Sequence, residues 1–247
     1  MTTNQTLEKL RQMRLYAMAE LHQNHLQNHL YDDLTTDDYL DLLTQHQWEQ
    51  RQNKRIERLI KQAKFKENAS IADIDFNSTR NLDKNMFNRL STLDFIRRKE
   101  NLIVTGASGT GKSYLTQALG HQACLMGMSV QYYITSRLLD HLKFAKLDGT
   151  YFKELKKINK SNILILDDFG LQSFNNKARE ALMDIIEDRH NSRSTFVCSQ
   201  IPVSGWHKLI GEGTIADAIL DRIINSAHRI QLKGESMRKI NMNKIKN

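Results

Sequence analysis

Chain breakers are scarce in this sequence. Its 247 residues include one proline, Pro202, and 11 glycines, a composition that suits a helix-rich fold. The two cysteines, Cys124 and Cys198, lie far apart in apolar surroundings, so they read as small core residues in a reducing cytosol and not as a disulfide framework. No apolar run approaches the ~20 residues a membrane span needs. The first residues, MTTNQTLEKL, lack the apolar core of a signal peptide. These absences lead to the expectation of a cytoplasmic protein with no membrane contact.

Hydrophobic residues make up 40% and charged residues 26% of the chain. That supports a packed core and argues against wholesale disorder. The length suits one large α/β domain with a smaller appendage. Formal charge is +8 and the sequence pI is near 9.4, which points to an anionic partner, nucleic acid first.

Residues 1–66 read as a helical, basic N-terminal domain. Leu7, Leu10, Met13, Ala17 and Leu21 recur at helical spacing. Thr35, Thr36, Asp37 and Asp38 form a helix start, with a Thr cap and acids at the positive end of the helix dipole. The following helix carries Arg51, Lys54, Arg55, Arg58, Lys61, Lys64 and Lys66 around an apolar stripe of Ile56, Leu59, Ile60 and Ala63. Glu57 is the single acid in that stretch, so the basic face is either solvated or a phosphate-binding surface. His22, His25 and His29 share helical spacing, but no third-ligand pattern accompanies them and they read as polar helix positions. Residues 67–100 read as a linker and lead-in, ending in one helix over about 86–98.

From residue 101 the pattern becomes strand–helix alternation. Apolar, β-prone runs at 102–105, 130–134, 163–166, 195–198 and 229–232 are separated by amphipathic segments. This predicts a parallel sheet covered on both faces, in a domain spanning 101–247.

The first strand runs into Gly106, Ala107, Ser108, Gly109, Thr110, Gly111, Lys112 and Ser113, the pattern G-x-x-x-x-G-K-[ST] of a phosphate-binding loop. An amphipathic helix follows, so strand, loop and helix are in register. The glycines let the backbone curl its N–H groups toward phosphate oxygens, and the helix N-terminus adds positive potential. Lys112 is expected on the β- and γ-phosphates and Ser113 on Mg²⁺, with ATP as nucleotide. The run Ile163-Leu164-Ile165-Leu166 ends in Asp167 and Asp168. A buried strand there delivers carboxylates to the ligand-binding edge of the sheet: Asp167 for the Mg²⁺ shell, Asp168 to orient the attacking water. No Asn-Lys-x-Asp segment is present, which argues against guanine recognition.

Three further polar positions are candidates. Gln200, with Ser199 second, ends the fourth strand, where a side chain can sense the γ-phosphate. Arg222, in LDRI, is placed to reach the ATP site of a neighbouring subunit, or else to pair with Asp221. Arg238, in GESMRK, is a candidate phosphate contact. Lys143, Lys146, Lys153, Lys156, Lys157 and Lys160 form a second basic stretch interrupted by Gly149, expected at a nucleotide-proximal loop.

The segments NLIVTGASGTGKSYL and ILILDDFGL, followed by CSQIPVSGWHKLIGEGTIADAILDRIINSAHRIQLKGESMRK, resemble the IstB-like transposition helper ATPases. These belong to the AAA+ superfamily and are close to the DnaC-type helicase loaders. The similarity covers residues 70–240 closely. It implies an AAA+ core with sheet order 5-1-4-3-2, ATP-dependent homo-oligomer assembly on double-stranded target DNA, and a cognate transposase as partner. Residues 106–113 are then Walker A and Asp167-Asp168 Walker B; Gln200 is near sensor 1, Arg222 is the arginine finger and Arg238 a possible sensor 2. The chain departs from the AAA+ pattern in two ways. Asp168 stands where the superfamily usually has Glu, which predicts slow hydrolysis. Only 15 residues follow Leu232, from which an absent helical lid domain is expected. The expected function is an ATP-hydrolysing, DNA-binding transposase helper. The rivals are a helicase loader and a nucleotide-gated interaction module with little hydrolysis; a small-molecule kinase is disfavoured by the basic charge.

Overall fold

The computed structural model describes residues 3–28, 30, 34–76, 80–211 and 213–237. The chain forms two compact units, Met1–Arg58 and Leu59–Asn247. The boundary falls inside one long helix.

In the first unit, α1 (Thr3–Gln12) and α2 (Tyr16–Asn28) precede α3 (Thr36–Ala63). Leu7, Met18, Ala19 and Leu43 are buried, and Gln47 Oε1 accepts from the Met18 backbone N–H at 3.2 Å. The expected cap of α3 is present: Thr35 Oγ1 accepts from the Asp38 N–H at 3.2 Å. His22 bonds the Tyr39 hydroxyl at 2.7 Å, and the His25 ring lies against the Tyr39 ring. His29 lies outside the described residues.

In the second unit the lead-in starts with a 3₁₀ turn, Ile71–Asp73, capped by Ser70. The single helix expected over about 86–98 is two helices, α4 (Lys84–Ser91) and α5 (Asp94–Arg97). Between them the fully buried Leu93 adopts a left-handed φ of 61°. Burying that side chain against the core breaks the helix, a tertiary override that helical spacing does not reveal.

Five strands follow: β1 (Asn101–Gly106), β2 (Val130–Ile134), β3 (Ile163–Asp167), β4 (Ser194–Ser199) and β5 (Ala227–Leu232). All pair in parallel, in the order β2-β3-β4-β1-β5. Read from the other edge this is 5-1-4-3-2, as expected. Alternate strand residues serve the two faces. Leu102, Val104, Ile163, Ile165 and Phe196 join α6 (Lys112–Leu125), the lead-in helices and the end of α3 in one core. Ile103, Leu164, Leu166 and Val197 join the other core, built with α7 (Thr135–Leu147), α8 (Tyr151–Asn159), α9 (Asn176–Arg189) and α11 (Thr214–Ile224). A short helix, α10 (Trp206–Ile210), buries Trp206 in this second core. Among the described residues no helix is long and apolar enough to cross a membrane.

Candidate nucleotide site

The C-terminal end of β1 runs directly into the phosphate loop, and α6 starts at Lys112. Gly111 caps this helix with a φ of 93°, a conformation that strains any residue with a Cβ. Lys112 is buried, and its Nζ donates to the Ala107 carbonyl at 2.8 Å within the loop. A cavity of about 530 Å³ opens beside Gly109, Gly111, Lys112, Ser113 and Tyr114. That volume lies within the usual range for small-ligand sites.

The lead-in also lines this cavity, through Glu67, Asp73, Ile74, Asp75 and Arg80. This segment is tied to α6. The buried Gln117 accepts through Oε1 from the Lys66 and Glu67 N–H groups at 2.7 and 3.0 Å. The Phe65 and His121 rings stack at 4.2 Å, and the Ser70 N–H donates to the Tyr114 hydroxyl at 3.3 Å.

The Asp167 carboxylate accepts three hydrogen bonds. It is buried at the end of β3. Its Oδ1 accepts from Ser113 Oγ at 2.9 Å and from the Asp168 N–H at 2.9 Å, and its Oδ2 accepts from the Tyr132 hydroxyl at 2.6 Å. A hydroxyl and a carboxylate in contact below a phosphate loop are oxygen ligands of the kind Mg²⁺ takes from protein, so these residues fit the ion. Burial, and then the Asp167 carboxylate, raise the Tyr132 phenol above its ordinary pKa, so it stays a donor. Sequence reading missed Tyr132. It lies on the neighbouring strand two residues before Ile134, which pairs with Asp167; only the strand order reveals that proximity.

Asp168 lies elsewhere. With a left-handed φ of 52°, it lines a separate cavity of about 80 Å³ with Thr135, Ser136, Asp140 and Asn175. Of the two strand-end candidates, Gln200 is exposed, whereas Ser199 is buried and donates to the Phe169 carbonyl at 2.7 Å. Arg222 is found at the far end of β1 from the loop: Asn101 Nδ2 donates to the Arg222 carbonyl at 3.2 Å. Its guanidinium pairs with Glu187 at 2.7 Å and not with Asp221, which accepts from Asn225 instead. Arg238 lies outside the described residues. Cys124 and Cys198 are both buried free thiols; burial pushes Cys124 up to about 12 and Cys198 well above the usual thiol range.

The expected basic face of α3 is divided. Arg51, Lys54, Arg55 and Arg58 belong to the first unit, and Lys61 and Lys64 to the second. There Lys61 and Lys64 share a groove of about 660 Å³ with Lys153, Lys156, Lys157 and Lys160, floored by Leu59 and Val130. The lysine-rich stretch around Gly149 therefore has two ends. Lys146 bonds Glu180 at the start of α9, whereas Gln131 Nε2 donates to the Lys157 carbonyl beside the first residues of β2, at the sheet edge away from the phosphate loop.

Known proteins resemble this chain in sequence and in fold. The family model for IstB-like ATP binding proteins matches residues 8–245. A Sinorhizobium fredii protein named as an insertion-sequence ATP-binding protein (y4pL) is 41% identical over 97% of this chain and 98% of its own length. A Pseudomonas fluorescens protein named as an ATP-binding protein of insertion sequence IS1162 is 41% identical over 83% of this chain and 89% of its own. Among solved structures, that of the DnaC helicase loader superposes with a TM-score of 0.57 at 20% identity, covering 67% of this chain and 97% of that one; the likeness is one of fold. The chain belongs to the family of IstB-like ATP-binding proteins.

Proposed function

We propose that this protein is an ATP-hydrolysing, DNA-binding helper of a transposase that assembles as a homo-oligomer through its ATP sites. The observation that carries the ATPase reading is the Ser113–Asp167 contact beneath the phosphate loop. Residues 106–113 and the start of α6 direct backbone N–H groups at phosphate oxygens. Lys112 exchanges its Ala107 carbonyl for a phosphate oxygen when nucleotide enters. Ser113 and Asp167 would hold Mg²⁺, which neutralises charge on the transferred phosphoryl group. Tyr132 holds Asp167 through its second oxygen, so the carboxylate is oriented before the ligand arrives. Gln200, at the end of the strand between β1 and β3, is the proposed γ-phosphate sensor.

Arg222 is too far along β1 to serve its own loop. Its proposed role is therefore in trans, toward the ATP site of a second copy, after release from Glu187. The insertion-sequence names of the relatives support a transposase partner.

The lysine groove supports duplex DNA as the other partner. Two runs far apart in sequence converge there, and a set of lysines tracking one surface is the electrostatic footprint of a polyphosphate. Arg51, Lys54, Arg55 and Arg58, in the first unit, are a separate proposed set of phosphate contacts. Charge reversal of Lys156 and Lys160 to Glu tests this reading. The expected result is a drop in duplex affinity and a shallower salt dependence, by about 0.9 in the log–log slope per lost contact. Unchanged affinity and slope would remove the groove from the DNA-binding surface.

A second reading, nucleotide binding with slow turnover, is favoured by Asp168. Its left-handed backbone and its place in a cavity apart from the phosphate loop leave the attacking water without the close carboxylate expected from sequence.

A further inference from the structure

The nucleotide cavity contains a second cation that the phosphate-loop pattern does not include. Arg80 is 4% exposed and lines the same cavity as Lys112. Its position is fixed on both sides. The Arg80 carbonyl accepts from the Lys233 N–H at 3.0 Å, and Nη2 donates to the Asp75 carbonyl at 2.7 Å. The rest of the guanidinium is aimed at the loop: Nη1 lies 2.7 Å from where a Cβ on Gly111 would stand. Gly111 therefore serves two ends, since the absence of a side chain permits both its left-handed turn and the approach of the arginine. The Nε–H has no hydrogen-bond partner.

A buried guanidinium with an unmade donor is costly, and an anion that accepts from it removes the cost. Phosphate is the anion that the adjoining loop is shaped to hold, and the planar fork of arginine suits it. We infer that Arg80 is a nucleotide-binding residue, donating from the lead-in to the phosphates held over residues 111–113. This rests on the reading of the cavity as the ATP site and adds to it a contact from outside the loop. Because Arg80 is joined to Asp75 and Lys233, nucleotide occupancy would also tighten the lead-in and the segment after β5 onto the loop.

The test compares ADP and adenosine binding, by calorimetry and competition, in the full-length wild type, Arg80→Gln and Arg80→Lys, with Lys112→Ala as control. A phosphate contact predicts that Arg80→Gln weakens ADP about tenfold or more and leaves adenosine nearly unchanged. Unchanged ADP affinity, or an equal loss for adenosine and ADP, would overturn the inference and leave Arg80 as a staple between lead-in and loop. If Arg80→Gln does not fold, Arg80→Lys carries the same comparison, with an expected ADP loss of about threefold. Failure of the wild type to bind ADP would instead strike the nucleotide reading itself.

Discussion

Ser113 Oγ donates to Asp167 Oδ1 at 2.9 Å across 54 residues of chain. The bond joins the first turn of α6 to the end of β3. It exists because β4 is inserted between β1 and β3, which sets the phosphate loop and the acid-bearing strand on either side of one strand. Asp167→Asn keeps the shape and the hydrogen bond but removes the charge. It is expected to leave ATP affinity in EDTA unchanged, to abolish the gain in affinity from Mg²⁺, and to lower turnover about 100-fold or more. ATP titrations with and without Mg²⁺ check this; an equal Mg²⁺ effect in both proteins would contradict it.

Tyr132 supports the same carboxylate from the neighbouring strand. Tyr132→Phe removes one hydroxyl from a site that stays packed. The Mg²⁺ concentration for half-maximal turnover is expected to rise about tenfold, as for other outer partners of metal ligands, with a stability loss of about 1 kcal/mol. A magnesium titration of activity reads the first effect and a urea midpoint the second.

Arg189 is 1% exposed and acts as an internal clamp. Its guanidinium donates to the Ser194 carbonyl at 2.6 Å, the Ser161 carbonyl at 3.1 Å, the Ile158 carbonyl at 3.2 Å and the Thr195 hydroxyl at 3.1 Å. It thereby joins α8, α9 and the starts of β3 and β4. Arg189→Met leaves those oxygens without a donor and is expected to cost about 3 kcal/mol or more. The urea midpoint of unfolding measures it, and an unchanged midpoint would show the clamp to be dispensable.

Glu100 joins the lead-in to β5. The Arg98 guanidinium beside it, helped by His228, lowers its carboxyl to about 2. Because the folded value lies below the ordinary carboxylate range, its contribution to stability is fully present above about pH 4.5. It is lost as pH falls toward 2. The difference in thermal midpoint between wild type and Glu100→Gln is expected to be constant above pH 5 and to shrink through that acid window. A difference that instead grows on acidification would contradict the assignment.

The sheet was legible because its central strands β1, β3 and β4 carry buried apolar runs, while β2 and β5 are β-prone but interrupted by polar residues. All five expected runs lie within observed strands, and the order follows from the family resemblance. The contact between Ser113 and Asp167 was legible because a strand ending in acids and a phosphate loop imply each other. Arg80 was not: its segment is polar, without periodicity, and its role arises only when the lead-in folds back on Gln117 and Gly111. Nor was Arg189, since an arginine at the end of an amphipathic helix reads as solvated until α8 covers it. The division at Leu93 depends on burial that no spacing records. The meeting of Lys61 and Lys64 with the lysines of α8 follows from the placement of β2 at the sheet edge. No single stretch of chain carries that information.

The proposed function, ATP hydrolysis by a protein that binds duplex DNA, is tested most directly by steady-state ATPase activity with no DNA, with single-stranded DNA and with duplex, using Lys112→Ala as the blank. The account predicts turnover above the blank that is stimulated chiefly by duplex. Stimulation confined to single strands, or no turnover above the blank in any condition while ATP still binds, would contradict it.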